Sequence, residues 1–441
     1  RCNVVEDSGR FKVGKFDIEY IGVTHSIPEG NALCIRTPYG NLLHTGDFKL
    51  DKNPVIGQKS NLERLKEIGK EGVLAMLCDS TNVFVEGDSG SEGDLADSLD
   101  SIIGSTKNKI FFATFSSNLG RLLRVAEIAT AHGRKVCFLS RSSQKMVEYG
   151  KQCGYFPSSL TNNVVTVDQA KNLKKNKVFY VTSGTQGEGN ANLSFLAYQG
   201  NFKGISIDKD DMVLLSSKMI PGNERNIYNL INKLLEIGAH LVHEKSDFVH
   251  VSGHAGRDEL KEMYAAVKPD ICVPVHGEYA HLYEHAKLAK SFGIKQQVLI
   301  TNGQKLHLAP EEPFVEDMKE YVGRNYVDGL NILDEDRFIL RERRHMNFNG
   351  LAVASVVIEG KSGKVLSDPI ISSKGVIDAT LQPEVVDDVV AEIRGTLAGA
   401  FEGEKITNIP HAEEMMRQAM RRAFNRERGR KPVAIAQVIE V

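Results

Sequence analysis

No apolar run in the sequence approaches the roughly 18 to 20 residues of a membrane span, and no charged-then-apolar signal segment opens it. A cytoplasmic protein with no membrane partner is expected. The six cysteines (Cys2, Cys34, Cys78, Cys137, Cys153, Cys272) form no Cys-x-x-Cys pair and no tight cluster. That excludes a zinc ribbon and a disulfide framework and leaves reduced thiols. Charge of one sign is also missing. A net charge of −2 with 25% charged residues gives no global basic field, so any nucleic-acid contact must use local patches. Proline is scarce at 13 residues, long Ser/Gly/Pro tracts and internal repeats are absent, and the composition is that of a globular protein. The chain starts at Arg1, directly in a turn-rich passage, as a truncated reading frame or an excised fragment would.

What is present is 441 residues with 41% hydrophobic content, enough for two or three cored domains. Between 12 and 50, short β-branched or apolar runs alternate with turn signals such as Pro38-Tyr39-Gly40-Asn41, which predicts an antiparallel meander. A helix near 59–69 and a buried strand at 73–78 follow. From about 108 the pattern becomes strands (109–114, 135–139, 178–181, 212–215) alternating with amphipathic helices, which predicts a parallel α/β layer domain within 84–245. A helix near 257–267, a strand at 271–275 and a helix near 278–292 come next. Residues 306–348 read as a connector of short strands carrying the basic run Arg341-Glu342-Arg343-Arg344. The last stretch, 349–441, reads as a small α+β domain.

Three features could carry chemistry. His25 and Asp47 each lie at a strand end beside a turn, where side chains can converge on a cleft. Alone they are weak signals, since such a histidine is ordinarily a surface residue and Gly-Asp is often only a turn. Denser is the set His250-Val251-Ser252-Gly253-His254 with His276, because the buried strand 271–275 has no packing reason to end in His-Gly-Glu. Third is Asp79 after a buried strand, which by itself would read as a cap. Taken jointly, they supply what a two-ion hydrolase needs: His and Asp ligands, a shared carboxylate, and a separate acid for the leaving oxygen. Asn118 and Arg121, opening the first helix of the inserted domain, could reach an RNA backbone or be a helix cap and a solvated cation.

The strings THSIPEGNALCIRTPYGNLLHTGDFKLD, CDSTN, ATFSSNLGRL, TSGTQGE, SSKMIPGNE, HVSGHA and VPVHGEYAHL, in this order, closely resemble the ribonuclease J family of β-CASP nucleases. Twenty-two residues separate His25 from Asp47 and also His254 from His276, as in that family. The resemblance implies a metallo-β-lactamase αββα sandwich, incomplete at its N-terminus (1–83 and, after the insertion, 246–348 as return segment and connector). It also implies an inserted β-CASP α/β domain (84–245) and a C-terminal α+β domain (349–441). The implied activity is a 5′-to-3′ exoribonuclease with endonuclease capability in rRNA maturation and mRNA decay.

On the same basis His25, Asp47 and His276 are implied as ligands of two divalent ions, Zn2+ first, with Mn2+ or Mg2+ as alternatives. Asp79 and His254 are implied as the catalytic pair. Ser252, Gly253, Ser183 and Thr185 are implied to bind an RNA 5′-monophosphate, and His250 is implied as a further substrate-binding residue. Partners implied are RNA, further copies in a homodimer or homotetramer, and an RNA helicase or the ribosome. The family's His-x-His-x-Asp-His motif does not occur here, since no two histidines are one residue apart. The chain as written is therefore expected to bind metal weakly and to be inactive. The rival readings are a β-CASP nuclease acting on DNA and a non-catalytic RNA-binding scaffold.

Overall fold

Strands β1 (Arg10–Val13), β2 (Phe16–Gly22), β3 (Asn31–Thr37) and β4 (Gly40–His44) pair in sequence as an antiparallel meander. Helix α1 (Leu62–Glu71) then crosses to β5 (Ala75–Asp79), which lies parallel to β4. The β3–β4 turn closes because the Thr37 hydroxyl donates to the Gly40 carbonyl (2.8 Å) while Gly40 takes φ 143°, a value open to glycine. Asn61 starts α1 by accepting from the Arg64 amide (3.1 Å).

The chain then leaves this sheet. It runs through α2 (Leu95–Gly104), β6 (Ile110–Ala113), α3 (Leu119–Ala131), β7 (Lys135–Phe138), α4 (Arg141–Gln152), the short α5 (Ser158–Thr161) and α6 (Val167–Ala170), β8 (Val178–Thr182), α7 (Asn192–Gln199), β9 (Met212–Leu215), α8 (Glu224–Ile237) and β10 (His240–His243). These five strands make a parallel sheet ordered β10-β9-β6-β8-β7. Its strands carry apolar residues to both faces, as a sheet covered by helices requires. Phe112, Val181 and Leu214 pack towards α2 and α3, while Phe111, Tyr180 and Val213 pack towards α7 and α8. After α9 (Arg257–Val267) the chain returns to the first sheet with β11 (Ile271–Val275), parallel to β5, so the α/β layer is an insertion between two neighbouring strands. Helix α10 (Tyr279–Phe292), β12 (Gln296–Gln297) and the hairpin β13 (Gln304–His307) and β14 (Phe314–Lys319) complete this part.

Two compact units result, Arg1–Glu320 and Tyr321–Val441. The computed structural model describes residues 3–6, 8–320, 322–323, 325–333, 338–378, 380–401 and 405–441; Cys2 lies outside them. The other five cysteines are free thiols, and no described helix is long and apolar enough to cross a membrane. The second unit holds β15 (Tyr326–Asp328), β16 (Asn331–Leu333), α11 (Phe338–Asn349), β17 (Leu351–Ile358), β18 (Ile370–Lys374), α12 (Pro383–Ala400), α13 (Ile409–Arg428) and β19 (Val433–Glu440). Its sheet is ordered β18-β17-β19, and Val356, Ile358, Val389, Met420 and Phe424 form the core. One expectation needs correction: the run Arg341–Arg344 lies on helix α11, not among short strands. Arg, Glu and Leu are strong helix formers, but α11 has no buried residue and hence no apolar period to read.

The meander is tied to α1 by charge. Buried Glu19 of β2 pairs with Arg36 of β3 (2.7 Å) and accepts from Arg64 of α1 (2.6 Å). The hydrogen bond from Arg64 is the largest influence, and with Arg36 it holds the Glu19 carboxyl below its ordinary range despite burial. A depressed carboxyl pKa contributes stability above the unfolded value, near 4.3, and loses it as pH falls through the lower folded value. Acid unfolding below about pH 4.3 is therefore expected to be steeper in the native chain than in Glu19→Gln, as circular dichroism across pH 2 to 5 would measure.

Candidate metal centre

Neighbouring strand ends place the acidic groups and histidines together. The Lys49 amide donates to the Thr24 carbonyl (2.8 Å), which sets the loop carrying His25 beside the loop carrying Asp47. The Thr45 hydroxyl accepts from the Asp79 amide (3.2 Å), and the Ser80 amide donates to the Val275 carbonyl (2.9 Å). The ends of β4, β5 and β11 are thereby held in register. His276, next after β11, adopts φ 57°, a left-handed conformation uncommon outside glycine and a mark of over-determined local structure. The His250–His254 loop comes in from between β10 and α9.

Asp47 lies between two histidines. One carboxylate oxygen is 3.4 Å from Nε2 of His276 and the other is 3.9 Å from Nε2 of His25. Both separations exceed a good hydrogen bond, so the three groups face one another without satisfying one another. The His25 ring is fixed by Nδ1 donating to the Gly253 carbonyl (2.6 Å), which leaves Nε2 towards Asp47. Burial, followed by the neighbouring His254, pushes the His25 pKa down against the opposing pull of that carbonyl, favouring the neutral imidazole that binds metal. An N/O donor set of this kind suits zinc and related divalent ions. His25, Asp47 and His254 form one group able to hold an ion, and Asp79, His254 and His276 form another.

His254 links the two groups. Its Nδ1 lies 2.7 Å from an Asp79 carboxylate oxygen, and its ring stands edge-on to His25 with centroids 4.8 Å apart. The other Asp79 oxygen accepts from the Thr81 amide (2.9 Å) and hydroxyl (2.7 Å). Burial raises the Asp79 pKa, but the bonds from His254 and Thr81 outweigh it and hold the carboxyl below its usual range. Asp79 is thus an ionised anchor for His254 and not merely a cap.

The remaining candidates separate into those near this cleft and those away from it. Ser252 accepts from the Asn82 side chain (2.7 Å) and the His254 amide (3.2 Å), beside the histidines. Gly253 must be glycine for space, because a Cβ there would lie 2.7 Å from the Ser26 hydroxyl and 2.8 Å from His25 Nδ1. Gly253→Ala is expected to break the His25–Gly253 bond and weaken divalent-ion binding by about 10 to 100-fold, the cost of losing an outer partner of a ligand; calorimetric titration with Mn2+ would measure it. Ser183 and Thr185 follow the end of β8. Thr185 is buried and bonded to Gln186, which in turn donates to the Lys218 carbonyl (3.0 Å). Thr185 connects to Ser252 through Gln186, Lys218 and Asn82.

Arg121, Asn118 and His250 stand apart. Arg121 is 1% exposed and ion-paired to Glu92, and it donates to His250 Nδ1 (2.7 Å) and to the Val251 carbonyl (3.2 Å). Asn118 caps α3 and donates to Glu92 (3.0 Å). The Arg121 guanidinium, read from the sequence as free to reach an RNA backbone, is buried with its donors directed at these protein partners. His250 is held neutral, its pKa pushed down to about 2 by burial and then by Arg121. Sequence reasoning passed over Asn82 and Lys218. The available signal was a cation following a buried parallel strand, at the end where such sheets bind ligands.

Three family models match in order: "Ribonuclease J, beta-CASP domain" over residues 107–234, "Zn-dependent metallo-hydrolase RNA specificity domain" over 239–299, and "Ribonuclease J C-terminal domain" over 338–441. Among similar curated proteins, the ribonuclease J of Sinorhizobium meliloti is 37% identical over 99% of this chain and 77% of its own length. That of Corynebacterium glutamicum is 35% identical over 97% of this chain and 59% of its own length. For Helicobacter pylori the figures are 30%, 98% and 62%. The chain therefore spans between 59% and 77% of the length of these relatives. On these matches, the chain belongs to the ribonuclease J family of β-CASP metal-dependent hydrolases.

Proposed function

We propose that these residues form the metal and proton-transfer site of a 5′-to-3′ exoribonuclease with endonuclease capability. The observation that carries this reading is one carboxylate, Asp47, facing His25 and His276 from its two oxygens, with the Asp79–His254 pair alongside. His25 and Asp47 would hold one ion, and Asp47 and His276 a second. Bound there, divalent ions supply Lewis acidity and a nucleophile at neutral pH. His254, oriented through Nδ1 by Asp79, keeps Nε2 for a proton at the departing oxygen. Ser252 and Gly253, backed by Asn82 and the exposed Lys218, suit a terminal phosphate. Zn2+ is the first choice of metal, and RNA in a cytoplasmic setting the substrate. An oligomer of this chain, and a helicase or ribosome as partner, remain part of the proposal.

These residues give each ion two protein ligands apart from His254, where catalytic zinc takes at least three. Weak ion binding and little turnover are expected from the 441 residues alone. The test joins a segment bearing His-x-His-x-Asp-His upstream of Arg1 and supplies 5′-phosphorylated RNA or matched DNA. Stepwise release of mononucleotides from RNA is expected, lost with chelator and lowered about 100-fold or more by His254→Ala. RNA that is bound but never cut, with chelator making no difference, would favour the scaffold reading.

A further inference from the structure

We propose that Phe84, backed by the His281 ring, is a stacking platform for one nucleobase of a single-stranded RNA beside the metal centre; this rests on the function proposed above. Phe84 is 56% exposed, and isolated exposed apolar residues are ordinary. What sets this one apart is its mounting. The residues on either side are pinned: the Val83 amide donates to Ser80 (3.1 Å) and the Val85 amide to Asn82 (2.8 Å). The Val83 carbonyl accepts from the Arg257 guanidinium (3.3 Å) and the Val85 carbonyl from the Arg257 amide (2.9 Å). Arg257 also pairs with Glu284 (3.2 Å) of α10, the helix that carries His281. The ring is therefore exposed on a backbone with little freedom to move.

Its neighbours lead to the site. Phe84 and His281 meet edge-on with centroids 5.1 Å apart. His281 packs so closely on Gly277 that a Cβ there would lie 2.8 Å from the His281 Cβ. Gly277 directly follows His276, whose ring centroid is 5.6 Å from that of His254. Two ring pairs, His254–His276 and His281–Phe84, are thus joined through Gly277 and lead from the metal-facing histidines to an exposed aromatic face. Single-stranded nucleic acids are held in this way, bases on aromatic faces and phosphates on polar groups. Stacking reads the face of a base and not its edge, so the subsite tolerates any base.

The chain has no tryptophan, so Phe84→Trp places a single, selectively excitable tryptophan at the proposed contact. The probe is a short 5′-phosphorylated single-stranded RNA, intact or with the base removed at one position in turn. Phe84→Ala and Phe84→Leu are expected to weaken binding of intact RNA roughly tenfold, within the range of one base–aromatic stack, while Phe84→Trp retains it. At one position, base removal should cost the native chain roughly tenfold and Phe84→Ala nothing, and the tryptophan should be quenched only by RNA carrying that base. RNA binding untouched by Phe84→Ala, or an equal base-removal penalty in native and Phe84→Ala chains, overturns the platform alone. A native chain that binds no single-stranded RNA overturns the proposed function, and the platform with it.

Discussion

Replacing Asp47 by alanine is expected to take divalent-ion binding from weak to undetectable at millimolar ion, a loss of more than about 100-fold, beyond what removing an outer partner costs. The size follows from position. Among the described residues Asp47 is the carboxylate that faces both His25 and His276, so its removal would leave each proposed ion a single imidazole from that set. The fold should not register the change, because the Asp47 side chain is 43% exposed and its histidine neighbours stand at 3.4 and 3.9 Å. Titration calorimetry with Mn2+, beside circular dichroism of the same samples, would show both. An affinity equal to the native chain's would move the metal site elsewhere.

Arg121→Ala should do the reverse, leaving the ligands in place and weakening the fold. It leaves the Glu92 carboxylate without its cation and takes a donor from His250 Nδ1 and from the Ser216 and Val251 carbonyls, all bonded to the guanidinium in the native chain. Removing one member of a buried ion pair costs about 3–5 kcal/mol, most of it the uncompensated charge left behind. Amide exchange in α3 and β9 should accelerate by about 100-fold or more. Glu92→Gln combined with Arg121→Met should recover much of that loss, since no unpaired charge remains. Exchange unchanged in Arg121→Ala would show that the pair does not hold the inserted layer to the His250 loop.

The contrast between these residues shows what could be read from the sequence. His276 stood out because it follows a buried apolar strand with no packing reason to end in His-Gly-Glu, whereas Asp47 and Asp79 read singly as a turn and a cap and drew notice only when taken together with the histidines. The alternation of β2 to β4 and the strand–helix rhythm from β6 to β10 likewise follow from residue pattern alone. Arg121 was not legible in the same way. A cation in the first turn of a helix looks alike whether solvated or buried, and its partner Glu92 lies 29 residues upstream in a different element. His250 looked like His254 in the same loop, and only the placement of Arg121 separates a neutral acceptor from a group beside the metal site. Asn82 and Lys218 were missed because their roles depend on loops from two sheets meeting. Helix α11 escaped because it buries no residue and its apolar side chains, exposed Phe338, Ile339 and Phe348 among them, mark no helical face.

The central proposal is that His25, Asp47, His254 and His276 surround the divalent-metal centre, and Mn2+ titration followed by histidine-ring NMR tests it most directly. Paramagnetic broadening should appear first on the rings of His25, His254 and His276, leave His132 and His307 sharp at the same ion concentration, and vanish in Asp47→Ala. Broadening that begins on the other histidines, or that persists unchanged in Asp47→Ala, would contradict the account.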